Sequence, residues 1–158
     1  MSTLGATDLE RVTAYLGREP EGAFTVVVRS ASGDPVVIEN APLLRDGRPM
    51  PTRYWLVDPE LRAEVSRLES QGGVNRAEAE VDEAAIAAAH ERAARERAAL
   101  LEGHVGPAPS GGVAGTRTGV KCLHAHLATF LVDGTDPVGR WTANQLGLAV
   151  HPGEDHHG

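Results

Sequence analysis

The order of strand-like and helix-like segments is the feature that most constrains the fold of this chain. After one short helical segment, three runs rich in β-branched and aromatic residues follow one another with only turns and loops between them, at Phe24–Arg29, 36–39 and 52–57. Helical patterns fill most of the chain beyond Asp58. Strands followed by helices, without regular βαβ alternation, indicate a layered α+β fold. We therefore predict an antiparallel sheet of about three strands packed with about four helices, one of them long and alanine-rich.

Capping residues and glycines set the predicted bounds of the first helix. Thr7 and Glu10 form a capping box for Asp8–Leu16, and Gly17 supplies a stop. The later helices are predicted from Asp58-Pro59 to the Gly72-Gly73 pair, over 82–102, over 120–132 and, as a short piece, over 140–146.

The length of the chain fits one domain. Its 158 residues are enough for one domain of ordinary size and too few for two comfortable ones. Tryptophan, tyrosine and phenylalanine occur only twice each, so the core must be mostly aliphatic and alanine. We expect a single α+β domain over residues 1–150 and a disordered tail over 151–158.

Composition and charge exclude several classes of protein. One cysteine, Cys122, cannot form an intramolecular disulfide or an all-cysteine metal site. The first residues lack the basic and apolar segments of a signal peptide, and no window approaches about 18 apolar residues. We therefore expect a cytoplasmic protein that does not insert into a membrane. The formal net charge of −7 argues against charge-driven binding to nucleic acid.

A glycine-rich loop that leads into a predicted helix is the strongest candidate for a binding site. Backbone N–H groups at a helix start bind anions, and Arg117 and Lys121 add positive charge beside them. The loop matches neither the phosphate-binding P-loop pattern nor the dinucleotide fingerprint. We expect a small ligand that carries phosphate or carboxylate. The candidate ligand-binding residues are Ser110, Gly111, Gly112, Arg117, Lys121, His124, Arg29 and Arg140.

Cys122 and His126 raise the possibility of a zinc site. Cysteine and histidine are common zinc ligands, and residues four apart share one face of a helix. His124 would lie about 160° away from His126 on the same helix, at 3.6 residues per turn, and so could not join them. Two further ligands would be needed. No other cofactor is required by the sequence, which also assigns no reaction.

Two further interpretations of Cys122 remain open. Beside Lys121, a helix start and an imidazole, its thiol has the surroundings of a nucleophile. Cysteine is also a small apolar residue that is often buried, and packing explains its presence more simply.

The long alanine-rich helix favours a different class of function. Its apolar stripe is narrow, and charges of opposite sign alternate along it, for example at Arg92 and Glu96. Such a helix can serve as a surface for a protein partner. The chain would then be a non-enzymatic adaptor, with Lys121 and Cys122 in packing and capping roles.

Segments spread along the chain resemble the successive blocks of a known family. The segments are Leu16-Gly17-Arg18-Glu19-Pro20, Pro51-Thr52-x-Tyr54, Ser66-Arg67-Leu68-Glu69, Ala89-His90-Glu91, Ser110-Gly111-Gly112, Val120-Lys121-Cys122-Leu123-His124 and Asp136-Pro137-Val138-Gly139. They resemble an uncharacterised actinobacterial family of unknown function, the family numbered 501. The Val-Lys-Cys-Leu-His block is the most specific of them.

The resemblance implies a cytoplasmic protein with no established activity. It also implies a gene often found near those for enolase, a septum-formation initiator and an exopolyphosphatase, which would place an adaptor in cell division or phosphate metabolism. Members of the family carry Arg-Cys-Pro where this chain has Arg29-Ser30-Ala31, so a metal site here would lack one potential cysteine ligand.

Overall fold

The structure, a computed structural model, describes residues 7–116 and 118–148. Its sheet has three antiparallel strands, β1 (Phe24–Arg29), β2 (Pro35–Asn40) and β3 (Tyr54–Leu56), with β2 in the middle. The predicted α+β class is confirmed. The third strand is shorter than the predicted run 52–57: the ladder with β2 covers Tyr54–Leu56, and single backbone hydrogen bonds of Arg53 and Val57 with β2 flank it. The predicted tail over 151–158 lies outside the described residues.

Six helices accompany the sheet in the described part of the chain. They are α1 (Asp8–Leu16), α2 (Pro59–Ser70), α3 (Gly73–Glu80), α4 (Glu83–Leu100), α5 (Leu123–Asp133) and α6 (Pro137–Leu146). The capping box at Thr7 and Glu10 and the left-handed Gly17 at the end of α1 are both present as predicted. None of the described helices combines the length and apolar character needed to cross a bilayer.

The prediction missed α3 because it took Gly72-Gly73 only as a stop signal. Gly72 is left-handed, with φ of 83°, and is the residue from which α3 begins. Gly73 lies so close to α2 that an added Cβ would be 2.7 Å from the carbonyl oxygen of Leu68. The two glycines therefore join two helices at a tight corner.

Two helices begin at residues other than those predicted. α6 begins at Pro137, because Asp136 caps it by accepting the N–H of Gly139 at 2.9 Å. α5 begins at Leu123, with Cys122 as its extended N-cap residue. Val120 and Lys121 therefore precede α5, and the assumption that 120–122 are helical was wrong.

The sheet separates two apolar clusters. Tyr54 and Leu56 face the larger cluster, to which helices α2–α6 contribute, while Trp55 faces the opposite side. The smaller cluster is covered by α1, whose fully buried Val12 contacts Ile38 of β2. The sheet is thus covered on both faces, and residues from the end of α1, from β3, from α2 and from the start of α5 come together around one cleft.

Candidate functional site

The glycine-rich loop 110–119 is held against α4 by a buried histidine. Nδ1 of His90 accepts the N–H of Val113 at 3.1 Å, so the ring proton is on Nε2, which donates to the Gly119 carbonyl at 2.7 Å. An added Cβ at Gly112 would lie 2.4 Å from Cβ of His90. This glycine is therefore explained by close packing. Gly111 also contributes to packing, because its carbonyl accepts a hydrogen bond from Arg97.

Carboxylates of the chain itself occupy N–H groups that were expected to bind an anion. Oε2 of Glu69 accepts the Leu123 N–H at the start of α5, at 2.7 Å. Oε2 of Glu78 accepts the Val120 N–H, also at 2.7 Å. Within the loop, Gly112 donates its N–H to the carbonyl of Thr116. An anionic ligand at this helix start would have to displace an internal carboxylate.

The chain has instead an open cleft beside the helix start. Its volume is about 500 Å³, and it lies between the end of α1, strand β3, helix α2 and the first residues of α5. Arg18, Arg62 and Lys121 line it, and no acidic residue of the described chain does. Tyr54 forms part of the wall; burial raises the pKa of its phenol to about 12, and the group adds no negative charge at neutral pH.

The cationic groups of the cleft are only weakly engaged within the protein. Neither Lys121 nor Arg62 forms an ion pair with any described residue. Arg62 donates from Nη1 to the Tyr15 carbonyl at 3.0 Å. Arg18 faces Glu21 at 3.6 Å, and both side chains are largely exposed. The lining can therefore offer positive charge to a ligand.

A thiol, an imidazole and a carboxylate meet on the wall of this cleft. Sγ of Cys122, a ring nitrogen of His124 and a carboxylate oxygen of Glu69 lie within 4.8 Å of one another. Nδ1 of His124 is 3.2 Å from Oε2 of Glu69, and its Nε2 is 3.3 Å from Oγ of Ser66. Cys122, His124 and Ser66 line the cleft, whereas Glu69 supports them from behind.

The proximity of these groups shifts two pKa values in opposite directions. Burial and, to a smaller extent, the charge of Glu69 raise the pKa of the Cys122 thiol, but its interactions with His124 and with the N–H of Ala125 outweigh both and bring the pKa below the ordinary value. The pKa of His124 is raised by Cys122, against the effect of burial, and Glu69 adds to the rise. Both shifts favour a thiolate next to an imidazolium.

The predicted pairing of Cys122 with His126 rests on a helix that does not include Cys122. His126 points into the core, where its Nδ1 lies 2.8 Å from Oδ2 of Asp136 and both side chains are almost fully buried. His124, and not His126, is therefore the histidine next to Cys122. Cys122 is an extended N-cap residue, so the angular spacing of a helix does not apply to it. Among the described residues, the donor cluster that includes Cys122 contains Glu69 and His124.

The other predicted ligand-binding residues are scattered. Arg29 pairs with Asp8 at 2.7 Å and supports the hairpin end. Arg140 stacks over Phe130 and donates to the carbonyl of Gly134. Ser110 is exposed in the loop, and Arg117 lies outside the described residues. Of the predicted set, Lys121 and His124 are the two that line the cleft.

The long helix α4 is integrated into the fold more fully than its composition indicated. His90 and Arg97 are buried beneath the loop. The charged residues expected to contact a partner make internal contacts: Arg92 donates to the Thr135 carbonyl at 2.8 Å, and Glu96 lies 3.0 Å from Arg53.

Sequence reasoning missed the contribution of α2 to the site. Ser66 and Glu69 are three residues apart, so both project from one face of α2. That spacing marks a polar pair on the helix, but it carries no information on which distant residue the pair contacts. The four segments that supply Arg18, Tyr54, Ser66 and Lys121 are all among those that carry the family resemblance.

A family described as "Protein of unknown function (DUF501)" matches residues 26–144, which is more than half of the chain. No curated protein and no solved structure matches the chain.

Proposed function

We propose that this chain, which belongs to the family described as "Protein of unknown function (DUF501)", binds a small ligand that carries phosphate or carboxylate in the cleft beside α5. One observation carries the proposal. In a chain with 22 acidic and 15 basic residues, the cleft is lined by Arg18, Arg62 and Lys121 and by no acidic residue of the described chain. The three Lys and Arg residues of the lining therefore face no lining carboxylate, although acidic residues outnumber basic ones in the chain.

The dimensions and lining of the cleft support a small ligand. About 500 Å³ is within the usual range for small-molecule sites, which combine an apolar wall with a few polar groups. Leu16, Trp55 and Leu56 supply apolar surface, and Thr52 and Ser66 supply hydroxyl groups. Because the formal net charge of −7 repels an anion overall, the attraction must come from the local positive charge of the cleft lining.

The proposed site differs from the one expected at the loop. The anion is bound by side chains in the cleft, since the N–H groups of Val120 and Leu123 already bond Glu78 and Glu69. Of the cationic residues predicted from the sequence, Lys121 is still proposed to contact the anion. Arg18 and Arg62 supply the other positive charges, in place of Arg29 and Arg140.

Calorimetric titration tests the proposal with inorganic phosphate, pyrophosphate, short polyphosphate, a nucleoside monophosphate and succinate. We expect at least one of them to bind and Lys121→Gln to weaken it about tenfold, as expected for one charge-assisted hydrogen bond of about 1.4 kcal/mol. Raising the salt concentration should also weaken binding.

Arg95→Gln is the matched control, because Arg95 is an exposed cation on α4 and does not line the cleft. This variant should bind as the wild type does. Absence of binding by every anion at millimolar concentration would contradict the proposal, as would equal losses in Lys121→Gln and Arg95→Gln.

A further inference from the structure

We propose that Cys122 is a catalytic nucleophile that attacks the carbonyl carbon of an anionic acyl ester or thioester held in the cleft. The inference deepens the proposed function and rests on it for the choice of substrate, because the cationic lining selects acyl groups that carry a carboxylate or phosphate. The nucleophile itself is argued from a separate set of contacts, those of Cys122, His124 and Glu69.

The position of Cys122 makes its thiol accessible and favours its charged form. The residue is the N-cap of α5 and lines the cleft wall. N–H groups in the first turn of a helix carry partial positive charge, which stabilises a thiolate. The lowered pKa of the thiol agrees with this placement.

Glu69 determines which nitrogen of His124 is left to transfer a proton. An ionised carboxylate only accepts hydrogen bonds, so at 3.2 Å from Oε2 the Nδ1 atom of His124 must carry a proton. The other nitrogen, Nε2, lies 3.3 Å from the hydroxyl of Ser66, which lines the cleft. A carboxylate that orients an imidazole beside a thiol is the arrangement that activates cysteine nucleophiles.

These groups support a balanced two-step hydrolysis. In the first step the thiolate forms a carbon–sulfur bond with the acyl carbon, and the bond from that carbon to the leaving oxygen or sulfur breaks. The leaving group takes the proton from Nε2 of His124. In the second step the neutral Nε2 takes a proton from water, the resulting hydroxide attacks the thioester, and the carbon–sulfur bond breaks. A carboxylic acid is released, and the thiolate and imidazolium are restored.

Cys122 is the only cysteine of the chain, so every thiol adduct reports on this site. The full-length protein is mixed with the mono-4-nitrophenyl ester of succinic acid and with neutral 4-nitrophenyl acetate. Nitrophenolate release and intact mass follow the reaction. We expect one succinyl group on Cys122 and no adduct in Cys122→Ala. The ratio of the succinyl rate to the acetyl rate should be higher for Cys122 than for free cysteine.

Variants of His124 and Glu69 distinguish a Cys122 thiol that these residues activate from one with ordinary thiol reactivity. We expect His124→Gln to slow acylation at least tenfold and Glu69→Gln to slow it by less. His104→Gln, at an exposed histidine away from the cleft, is the matched control and should react at the wild-type rate. Equal rates in wild type and His124→Gln would overturn the proposal.

A measurement on the wild type alone keeps the proposal testable if His124→Gln does not fold. The rate of alkylation by iodoacetamide should reach half its maximum at a pH below about 8.5, the value of an ordinary thiol. A midpoint at or above that pH would overturn the nucleophile. Alkylation of the purified protein only after treatment with a chelator would also overturn it, since the three side chains would then hold a metal ion.

The two proposals fail in different ways. If both esters acylate Cys122 at the ratio seen with free cysteine, while His124→Gln still lowers both rates, the nucleophile stands and the anionic substrate class is overturned. If phosphate binds and Lys121→Gln weakens it, but acylation does not depend on His124, the anion site stands and the nucleophile is overturned.

Discussion

Glu69 places one carboxylate oxygen against two groups of α5. Oε2 accepts the N–H of Leu123 and faces Nδ1 of His124. The same atom therefore caps a helix and orients an imidazole. This double contact explains why the N–H of Leu123 is not available to a ligand, and why a charged side chain is found half-buried beside α5.

Gly139 is a residue at which one added methyl group should strongly destabilise the fold. A Cβ there would lie 2.2 Å from the carbonyl oxygen of His126 and 2.5 Å from Cβ of Phe130. Gly139→Ala must push α6 away from α5, and we expect a loss of about 3 kcal/mol in the free energy of unfolding. Urea denaturation measures it.

Asn144→Ala provides the comparison for Gly139→Ala. It places the same residue on an exposed position of the same helix and should change stability by less than about 0.5 kcal/mol. Similar values for the two variants would show that the close contact between α5 and α6 is absent.

His90 joins α4 to both ends of the glycine-rich loop. Its two ring nitrogens bond Val113 and Gly119, and its side chain is buried. His90→Ala leaves a buried N–H and a carbonyl without partners, and we expect a loss of about 3 kcal/mol in unfolding free energy. His104→Ala, which removes an exposed histidine, should cost less than about 0.5 kcal/mol in the same chemical denaturation experiment.

The contact between α1 and the β1–β2 hairpin should depend on pH. Asp8 accepts hydrogen bonds from Arg29, and chiefly this contact lowers the pKa of the Asp8 carboxyl below its ordinary value. A lowered pKa in the folded state stabilises the protein above the unfolded pKa, and this contribution disappears as the pH falls through the folded value. Because both side chains are more than a third exposed, the contribution should be below about 1 kcal/mol.

Asp8→Asn tests this dependence. The variant should be less stable than wild type at pH 7, and the difference should shrink as the pH falls below about 3.8, the ordinary value of this carboxyl, as followed by urea denaturation at each pH. Glu91→Gln is the control, because Glu91 is exposed on α4 and forms no ion pair with any described residue. A pH-independent difference for Asp8→Asn would contradict the assignment.

Local signals in the sequence predicted most elements, and their failures have local causes. Caps at Thr7 and Asp58 determine helix starts through contacts within one turn, so the sequence contains all the information. The stop predicted at Gly72 was correct for α2, but α3 was missed because the same left-handed glycine also starts the next helix. The site was less predictable, since Glu69 reaches Leu123 and His124 only through the packing of α2 against α5.

At the scale of the whole molecule, the proposed ligand should stabilise the fold by mass action. A ligand that binds only the folded protein raises the free energy of unfolding by about 2.7 kcal/mol at a hundredfold excess over its Kd. For a chain of this size, we expect the thermal midpoint to rise by roughly 5–10 °C with the tightest anion. Differential scanning fluorimetry measures the shift.

The controls for the thermal shift are two variants that each remove one positive charge, one inside the cleft and one outside it. Lys121→Gln should show a smaller shift at the same anion concentration, and Arg95→Gln should show the wild-type shift. A rise that is identical in all three proteins would indicate a general salt effect on the acidic chain, whose formal net charge is −7.

The placement of the two tryptophans gives the protein an intrinsic optical probe. Trp55 lines the cleft, whereas Trp141 lies in the larger core with its Nε1–H donated to Glu80. Indole emission responds to the polarity around the ring, so a ligand that displaces water from the cleft should change the spectrum of Trp55 and leave that of Trp141 nearly constant. In Trp141→Phe the remaining fluorescence would report occupancy of the cleft alone, without a dye and in real time.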